Sequence, residues 1–317
     1  MSATVTDVDR FEASRYRLLA LAYRLLGSVG EAEDLVQETF LRWQAADTER
    51  IEVPEAWLTK VLTNLCLNEL TSARARRETY VGQWLPEPLL GGDPMLGPAE
   101  TVEQRESVSY AVLTLMERLT PNERAVYVLR EAFDYPHREI AEILDLTEAA
   151  SQQIYHRAKK HVADGGARKA RGEIDEAAAR QLVEEFLAAA TSGETASLIR
   201  LLTDDATSIG DGGGRIPARA TPFSGAVAVA KFLWGLFRPA QVKRDYAGGR
   251  PEMYAWTANG EPAAVAVVDG RVVGVMCLEV TAEGIVAVRN QINPDKLTRA
   301  SEWWGSVDHG KPLFQAF

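Results

Sequence analysis

Six side chains near the middle of the chain carry groups that could bind nucleic acid. They project from one helical segment between residues 151 and 160. Amide and hydroxyl groups can pair with base edges, and cationic groups can bind phosphates. The pattern predicts a DNA-reading helix, and a solvated helix face that touches only water is the alternative. The six are Ser151, Gln152, Gln153, His156, Arg157 and Lys160.

A helix-turn-helix is the element that would position this face. Apolar residues from Ile140 to Leu144 predict its first helix, and Asp145-Leu146-Thr147 predicts a tight turn. Thr147 is expected to cap the second helix. Small residues at Ala150 and Ala158 would then let the two helices cross closely.

A second polar face is expected near the N-terminus, on the segment from Glu31 to Trp43. Apolar residues at helical spacing form its buried stripe and leave one row outside. An acidic row repels phosphate, so a basic protein surface is its natural partner. The alternative is an acidic first turn that serves only the helix dipole. The row consists of Asp34, Gln37, Glu38 and Leu41.

A third polar set follows on the helix predicted from Pro54 to Arg77. Two amides lie one turn apart, and three arginines end the helix. Amides offer contacts to bases and arginines bind phosphates. The set comprises Asn64, Asn68, Arg74, Arg76 and Arg77.

Glycine and proline mark the organisation of the chain. A stretch rich in both, from Gly82 to Pro98, separates two helical blocks, and Gly165-Gly166 ends the second block. Helices and then alternating strand patterns follow, with hairpin-like turns, which favours an α+β domain with an antiparallel sheet. The predicted domains are all-α over 1–80 and 100–166, a linker over 81–99, and α+β over 167–317.

Composition excludes several classes of protein. The 317 residues include 35 Lys plus Arg against 45 Asp plus Glu, a net charge of −10, which argues against a nonspecific DNA coater. Two cysteines without a Cys-x-x-Cys pair predict neither a metal site nor a disulfide framework. We expect a cytoplasmic protein with no cofactor, since the sequence has neither a signal peptide nor a long apolar run.

Both helical blocks resemble the bacterial extracytoplasmic-function (ECF) sigma factors of RNA polymerase. In that family the segment like Glu33 to Phe40 docks on the β′ coiled coil of the polymerase core, which has β and β′ subunits. The resemblance implies that Asp34, Gln37, Glu38 and Leu41 bind the core. It further implies that the helix from Pro54 reads the promoter minus-ten element and that the helix-turn-helix reads the minus-thirty-five element.

About 150 residues after the helix-turn-helix exceed the minimal family pattern. They resemble a SnoaL-like domain of the nuclear-transport-factor-two type, an α+β cone with an open pocket. Three motifs resemble the sigma-J-like subgroup, in which the fused domain is implied to contact the sigma core through the linker and to regulate it in cis. The motifs are Trp84-Leu85-Pro86-Glu87-Pro88, Asp211-Gly212-Gly213-Gly214 and Asn293-Pro294-Asp295-Lys296.

Two other functions remain open for this domain. Related cones are isomerases and cyclases that use an Asp as general base, for which Asp204, Asp205 and Asp211 are the candidates. The cone could instead bind and sense a small apolar ligand. The aromatic residues considered for such a pocket are Phe232, Trp234, Phe237, Tyr254 and Trp256, and the competing interpretation is that they fill the core.

Overall fold

The computed structural model describes residues 7–78, 80–97, 101–164 and 176–316, with the side chains of 73–78, 102 and 176 outside the description. Chain contacts divide the molecule into two units. The first unit comprises Met1–Glu78, Pro94–Val108 and Val112–Ala167. The second comprises Thr79–Asp93, Ser109–Ala111 and Arg168–Phe317, so residues 81–93 of the predicted linker belong to the unit that holds the C-terminal domain.

The first unit is helical. Ser28 caps the second of its helices through its side chain, and Thr120 and Glu123 form a reciprocal capping box at another. The helices are α1 (Asp7–Leu26), α2 (Val29–Ala45), α3 (Pro54–Glu78), α4 (Val102–Val108), α5 (Tyr110–Met116), α6 (Pro121–Glu131), α7 (His137–Leu144) and α8 (Glu148–Asp164). These helices belong to the first unit, except that Tyr110 and Ala111 at the start of α5 belong to the second.

Packing among α1, α2 and α3 forms the core of the N-terminal part. Leu18, Leu25, Trp43 and Leu62 are almost fully buried there. The ring of Trp57 on α3 lies 5.5 Å from that of Trp43 on α2. This buried seam fixes which sides of α2 and α3 remain exposed.

The second unit is an α+β domain built on one sheet. Its helices are α9 (Glu176–Thr191), α10 (Thr195–Leu201), α11 (Ala226–Phe237), α12 (Gln241–Ala247) and α13 (Thr298–Trp304). Its strands are β1 (Leu202–Asp211), β2 (Phe223–Ser224), β3 (Glu252–Ala258), β4 (Glu261–Val268), β5 (Arg271–Thr281), β6 (Gly284–Gln291) and β7 (Phe314–Gln315). They lie in the order β2-β1-β6-β5-β4-β3-β7. The predicted fold class, two helical parts followed by an α+β domain, is confirmed.

The expectation of a purely antiparallel sheet is wrong at one pair. Strands β1 and β6 run parallel, with Gly210 opposite Asn290 and Asp211 opposite Gln291. No hairpin joins these two strands, because β2 to β5 and two helices lie between them in the sequence. Turn signals therefore could not fix their relative direction.

The two faces of the sheet carry different layers. One face packs against α9, α10 and α11 through a cluster that includes Phe186, Leu233 and Leu278. The opposite face packs against the linker and α13 through a cluster that includes Leu85 and Trp304. Because side chains alternate along a strand, β3, β4 and β5 each contribute to both layers.

Candidate functional site

The predicted polymerase-binding row lies on the outer side of α2. Asp34 and Gln37 are exposed, and Leu41 exposes 52% of its surface although it is apolar. Glu38 is half-buried and forms an ion pair with Arg42 at 2.9 Å. An exposed leucine beside acidic and amide groups gives this face both an apolar contact and a negative charge.

The predicted minus-ten residues lie along α3. Asn68 is exposed, and Asn64, one turn earlier, is half-buried. Both amides therefore lie on one side of the helix. Asn68 is on the exposed part of that side, and Asn64 is at its edge. The backbone of Arg74, Arg76 and Arg77 continues α3, but their side chains lie outside the described residues.

The helix-turn-helix is formed by α7 and α8. Asp145 ends α7 in the left-handed conformation, with φ of 53°, and Thr147 accepts a hydrogen bond from the Ala150 N–H at 3.2 Å. Ile140 and Ala158 are buried between the helices. The turn chemistry expected from Asp145-Leu146-Thr147 is therefore present in the structure.

Five of the six predicted base- and phosphate-binding side chains on α8 are exposed. Arg157 also lies 3.7 Å from Glu123, so its guanidinium has an acidic neighbour on α6. The exposed residues are Gln152, Gln153, His156, Arg157 and Lys160.

The prediction that Ser151 projects from α8 is wrong. Its side chain is fully buried, and its hydroxyl forms a 3.0 Å hydrogen bond with Nδ1 of His137 on α7. Partial burial, with a contribution from Arg130, lowers the pKa of His137, so its imidazole is neutral at pH 7. Ser151 therefore joins α7 and α8 by a hydrogen bond, and its hydroxyl is not exposed for contact with a DNA groove.

In the second unit, Asp211 lies at the centre of a buried polar cluster that holds the linker. Its side chain is fully buried at the end of β1. Lys296 forms an ion pair with its Oδ2 at 2.7 Å, and the backbone N–H of Leu85 donates to the same atom at 2.9 Å. The hydroxyl of Tyr80 donates to Oδ1 at 2.6 Å. Burial and this hydrogen bond raise the pKa of Tyr80, which keeps the phenol protonated as a donor.

The C-terminal domain also binds backbone carbonyl groups of the linker. Nζ of Lys296 donates to the Leu85 carbonyl at 2.7 Å, and Nε2 of Gln291 donates to the Pro86 carbonyl at 3.1 Å. The Lys296 ammonium also lies 4.1 Å from the centroid of the Trp84 ring. We call Tyr80, Trp84, Leu85, Pro86, Asp211, Gln291, Asn293 and Lys296 the linker cluster.

Glycine and asparagine shape the loop that completes the linker cluster. Gly213 has φ of +60°, and a Cβ placed there would lie 2.4 Å from the side chain of Asn293. Asn293 in turn donates to the Tyr80 hydroxyl at 3.0 Å. All three predicted motifs thus contribute to the linker cluster. In the first motif, Leu85, Pro86 and Pro88 are buried, and Trp84 and Glu87 are half-buried.

Further contacts, missed in the sequence, extend this attachment along the linker. Arg299 on α13 donates twice to the Asp93 carboxylate, at 2.9 and 3.1 Å. Leu89 and Asn259 exchange two hydrogen bonds at the turn between β3 and β4. Asn259-Gly260 is a hairpin signal that could have located that turn. Local sequence offered no comparable signal for Gln291 or Asp93.

The catalytic interpretation of the domain loses one of its three candidates, Asp211. Both oxygens of the Asp211 carboxylate are buried and already bonded to Lys296, Tyr80 or the linker backbone. Asp204 and Asp205 are exposed at the start of β1. Among the described residues no group of three or more His, Cys, Asp or Glu side chains could hold a metal ion.

Comparison with known proteins adds a family to this geometry. The family models for sigma-70 region 2 and sigma-70 region 4 match residues 11–76 and 109–162. The ECF RNA polymerase sigma factor SigJ of Mycobacterium tuberculosis is 40% identical over 230 residues, 73% of each chain. The chain belongs to the ECF RNA polymerase sigma factors. This sigma factor recognises promoters and initiates transcription, and its two sigma regions imply binding to the polymerase core and to promoter DNA.

The similarity extends beyond the sigma regions. A probable ECF sigma factor, SigI of M. tuberculosis, is 29% identical over 90% of this chain and 93% of its own. The crystal structure of M. tuberculosis SigJ matches 92% of the sigma factor and 98% of its own chain, with a TM-score of 0.70 and 33% identity. The C-terminal α+β domain is therefore part of the shared architecture. No helix in the described ranges is long and apolar enough to cross a membrane.

Proposed function

We propose that the sigma factor divides its task among three helical faces and that its C-terminal domain regulates it in cis through the linker. In this assignment α2 binds the polymerase core, β′ and β, α3 binds the minus-ten element, and α8 binds the minus-thirty-five element. The proposed domains are the two DNA-reading parts over 1–80 and 100–166, the linker over 81–99 between them, and the C-terminal domain over 167–317. The protein acts in the cytoplasm beside RNA polymerase, and no catalytic step is assigned to it.

The polymerase assignment is supported by the composition of the exposed face of α2. Asp34 and Gln37 supply polar contacts and Leu41 an apolar anchor, the mixture that protein interfaces use at their centre and rim. Phosphate is an unsuitable partner for this face because like charges repel. Glu38 contributes through its pair with Arg42, which orients its carboxylate.

The DNA assignments are supported by exposure and donor type. Gln152 and Gln153 begin the second turn of α8, where the recognition helix of a helix-turn-helix reaches base edges. His156, Arg157 and Lys160 follow on the same helix as phosphate-binding groups. On α3, Asn64 and Asn68 are the base-contact candidates and Arg74, Arg76 and Arg77 the phosphate-contact candidates.

Regulation in cis is carried by one observation: the C-terminal domain binds the linker main chain. Lys296 and Gln291 hold the carbonyls of Leu85 and Pro86, and Asp211 holds the N–H of Leu85. Two DNA-reading parts can engage two promoter elements only if the segment between them allows the required spacing. A domain that fixes the conformation of that segment therefore controls promoter binding.

Run-off transcription with purified polymerase core tests this regulation. In Trp84→Ala the linker loses its aromatic contact with Lys296, and we expect the transcript yield to change at least several-fold while core binding is retained. Trp234→Ala is the matched control, because Trp234 is also half-buried under a cation, Arg238, at 4.5 Å, but belongs to α11. Equal yields from both variants and the wild type would exclude cis regulation through the linker.

The polymerase face is tested separately by core binding. Asp34→Lys reverses a charge in the middle of the exposed row, and we expect at least tenfold weaker binding to the core because a basic partner would be repelled. Glu194→Lys, an exposed carboxylate of the C-terminal domain, is the control. Wild-type affinity in Asp34→Lys would remove α2 from the proposed interface.

A further inference from the structure

Two neighbouring lysines of α8 differ in what surrounds their ammonium groups. Lys159 and Lys160 are both exposed, and successive residues of a helix point about 100° apart. Lys160 lies one turn after His156, on the outer side of α8. Within the described part of the chain, Lys160 forms no ion pair. Its ammonium can therefore contact a phosphate without giving up a carboxylate.

Lys159, in contrast, is bound by the helix that packs against α8. Its Nζ lies 3.3 Å from Oε1 of Glu131, the last residue of α6. The same atom donates to the hydroxyl of Tyr155, one turn earlier on α8, at 3.1 Å. The ammonium also lies 5.4 Å from the centroid of the Tyr155 ring. These contacts direct Lys159 toward α6.

Glu131 is the member of this group that would suffer most from losing its partner. Its side chain is only 10% exposed, whereas that of Lys159 is 59% exposed. The Tyr155 hydroxyl also donates to Oε1 of Glu131. Burial and this hydrogen bond raise the pKa of Tyr155, so the phenol is neutral at pH 7 and cannot replace a cation. If Lys159 turned to a DNA phosphate, a nearly buried carboxylate would lose its positive charge.

The other flank of α8 carries cations that are bound less tightly. Glu123 on α6 lies 3.7 Å from both Arg157 and His161. Its carboxylate already accepts two hydrogen bonds from Thr120, at 3.0 Å from the backbone N–H and 2.9 Å from the hydroxyl. Glu123 therefore keeps two donors when Arg157 turns to DNA, and Arg157 remains available as a phosphate-binding group.

We propose that Glu131 limits the number of phosphate contacts made by α8, because it withholds Lys159 from DNA and leaves Lys160 available. Glu131 is thus a positioning residue, which acts on DNA binding through a lysine and contacts no nucleotide itself. The inference rests on the proposed binding of α8 to the minus-thirty-five element. Phosphate contacts carry no sequence information, so an additional one would strengthen binding to every DNA and not to promoters alone. Glu131 therefore keeps nonspecific binding low.

The salt dependence of DNA binding counts phosphate contacts and tests this role. The logarithm of the binding constant falls with the logarithm of the salt concentration, and each phosphate contact steepens the slope by about 0.9. Binding of holoenzyme, assembled from purified core and the full-length sigma factor, is measured at several KCl concentrations on a promoter duplex and on a duplex of unrelated sequence.

Glu131→Gln should steepen the slope by about 0.9 on both duplexes and leave the ratio of the two affinities unchanged. The glutamine oxygen can still accept the hydrogen bond from Tyr155, so the packing of α8 on α6 should persist. A changed ratio at an unchanged slope would show that Glu131 only supports the position of α8, and it would overturn the proposal.

The two lysines supply matched variants. Lys160→Gln should make the slope shallower by about 0.9, and Lys159→Gln by less than about half of that. In the Glu131→Gln background, Lys159→Gln should instead have the full effect, because the released lysine then contacts a phosphate. Equal effects of Lys159→Gln in the two backgrounds overturn the proposal. If Glu131→Gln fails to fold, equal effects of the two lysine variants on the otherwise unaltered protein overturn it.

The same measurements separate this inference from the proposed function. If Lys160→Gln makes the slope shallower and Glu131→Gln leaves it unchanged, the inference fails and DNA binding by α8 stands. If neither variant changes the slope, the inference fails together with the proposed role of α8. If only Glu131→Gln changes the slope, and Lys159→Gln reverses that change, the inference stands and Lys160 loses its proposed phosphate contact.

Discussion

The helical unit and the sheet-based unit use polar residues in opposite ways. On α2 and α8 the polar side chains relevant to function are exposed, and the apolar seam beneath them is buried. In the linker cluster the polar groups are buried and mutually satisfied, with Asp211 fully enclosed. An exposed face is suited to reversible binding of partners. A buried cluster holds one segment of the chain in one conformation.

This contrast has an energetic consequence. Removing a group from an exposed face takes away only what a partner would have gained, so folding is little affected. Removing one member of a buried ion pair leaves the other charge without water and without a counterion. Variants of the buried cluster should therefore lose folding stability, whereas variants of the exposed faces should lose binding and keep their stability.

Lys296→Met gives the largest expected effect. It leaves the Asp211 carboxylate buried without its cation, which should cost about 3–5 kcal/mol. Native-state hydrogen exchange at the amides of β1 and β6 measures this loss. Arg215→Gln is the matched control, because Arg215 pairs with Asp295 at 3.0 Å while their side chains are 63% and 58% exposed, and it should cost less than about 1 kcal/mol. Similar costs for both variants would contradict the contrast.

Glu261→Gln gives the next effect, visible as a dependence on pH. Burial raises the pKa of Glu261 to about 7 from 4.5, while its Oε1 accepts a hydrogen bond from the Ala111 N–H at 3.3 Å. Between these pH values the folded state binds the extra proton, so stability falls as pH rises and the cost is complete above pH 7. The glutamine keeps the acceptor without the charge and should be more stable by up to about 3 kcal/mol at pH 8.

Thermal unfolding at pH 5 and pH 8 measures this difference. Wild type and Glu261→Gln should be close at pH 5 and diverge at pH 8. Glu283→Gln, which alters an exposed carboxylate in the turn between β5 and β6, should follow the wild type at both values. Parallel curves for wild type and Glu261→Gln would show that the buried carboxyl does not oppose folding.

The same contrast explains what the sequence could predict. Helical spacing located the exposed face of α8, because periodicity alone decides which side a helix buries. It failed at Ser151, whose burial depends on His137 from another helix. The motifs marked the segments of the linker cluster, but Leu85 and Asp211 are 126 residues apart, and no local pattern specifies a hydrogen bond over that distance. The partners Tyr80 and Gln291 were missed for the same reason.

Gln153→Ala tests the exposed side of the contrast. If Gln153 reads a base edge, the variant should lose about 1–3 kcal/mol of discrimination at one base pair of the minus-thirty-five element and no folding stability. Binding of the holoenzyme to promoters with single substitutions measures this. Gln241→Ala, an exposed glutamine on α12, should leave the preference unchanged. Unaltered discrimination in Gln153→Ala would remove this residue from the DNA interface.

Ser151→Ala gives the smallest effect. It tests whether this residue of α8 stabilises the fold, as buried residues do, or contributes to DNA binding, as the exposed residues of α8 are proposed to do. The variant removes the hydrogen bond to His137 from a buried position, so it should lower folding stability by about 1 kcal/mol. Since the hydroxyl does not face solvent, base preference should stay that of the wild type. Chemical denaturation and the same promoter series provide both measurements. A changed base preference at full stability would mean that α8 turns Ser151 outward when it binds DNA.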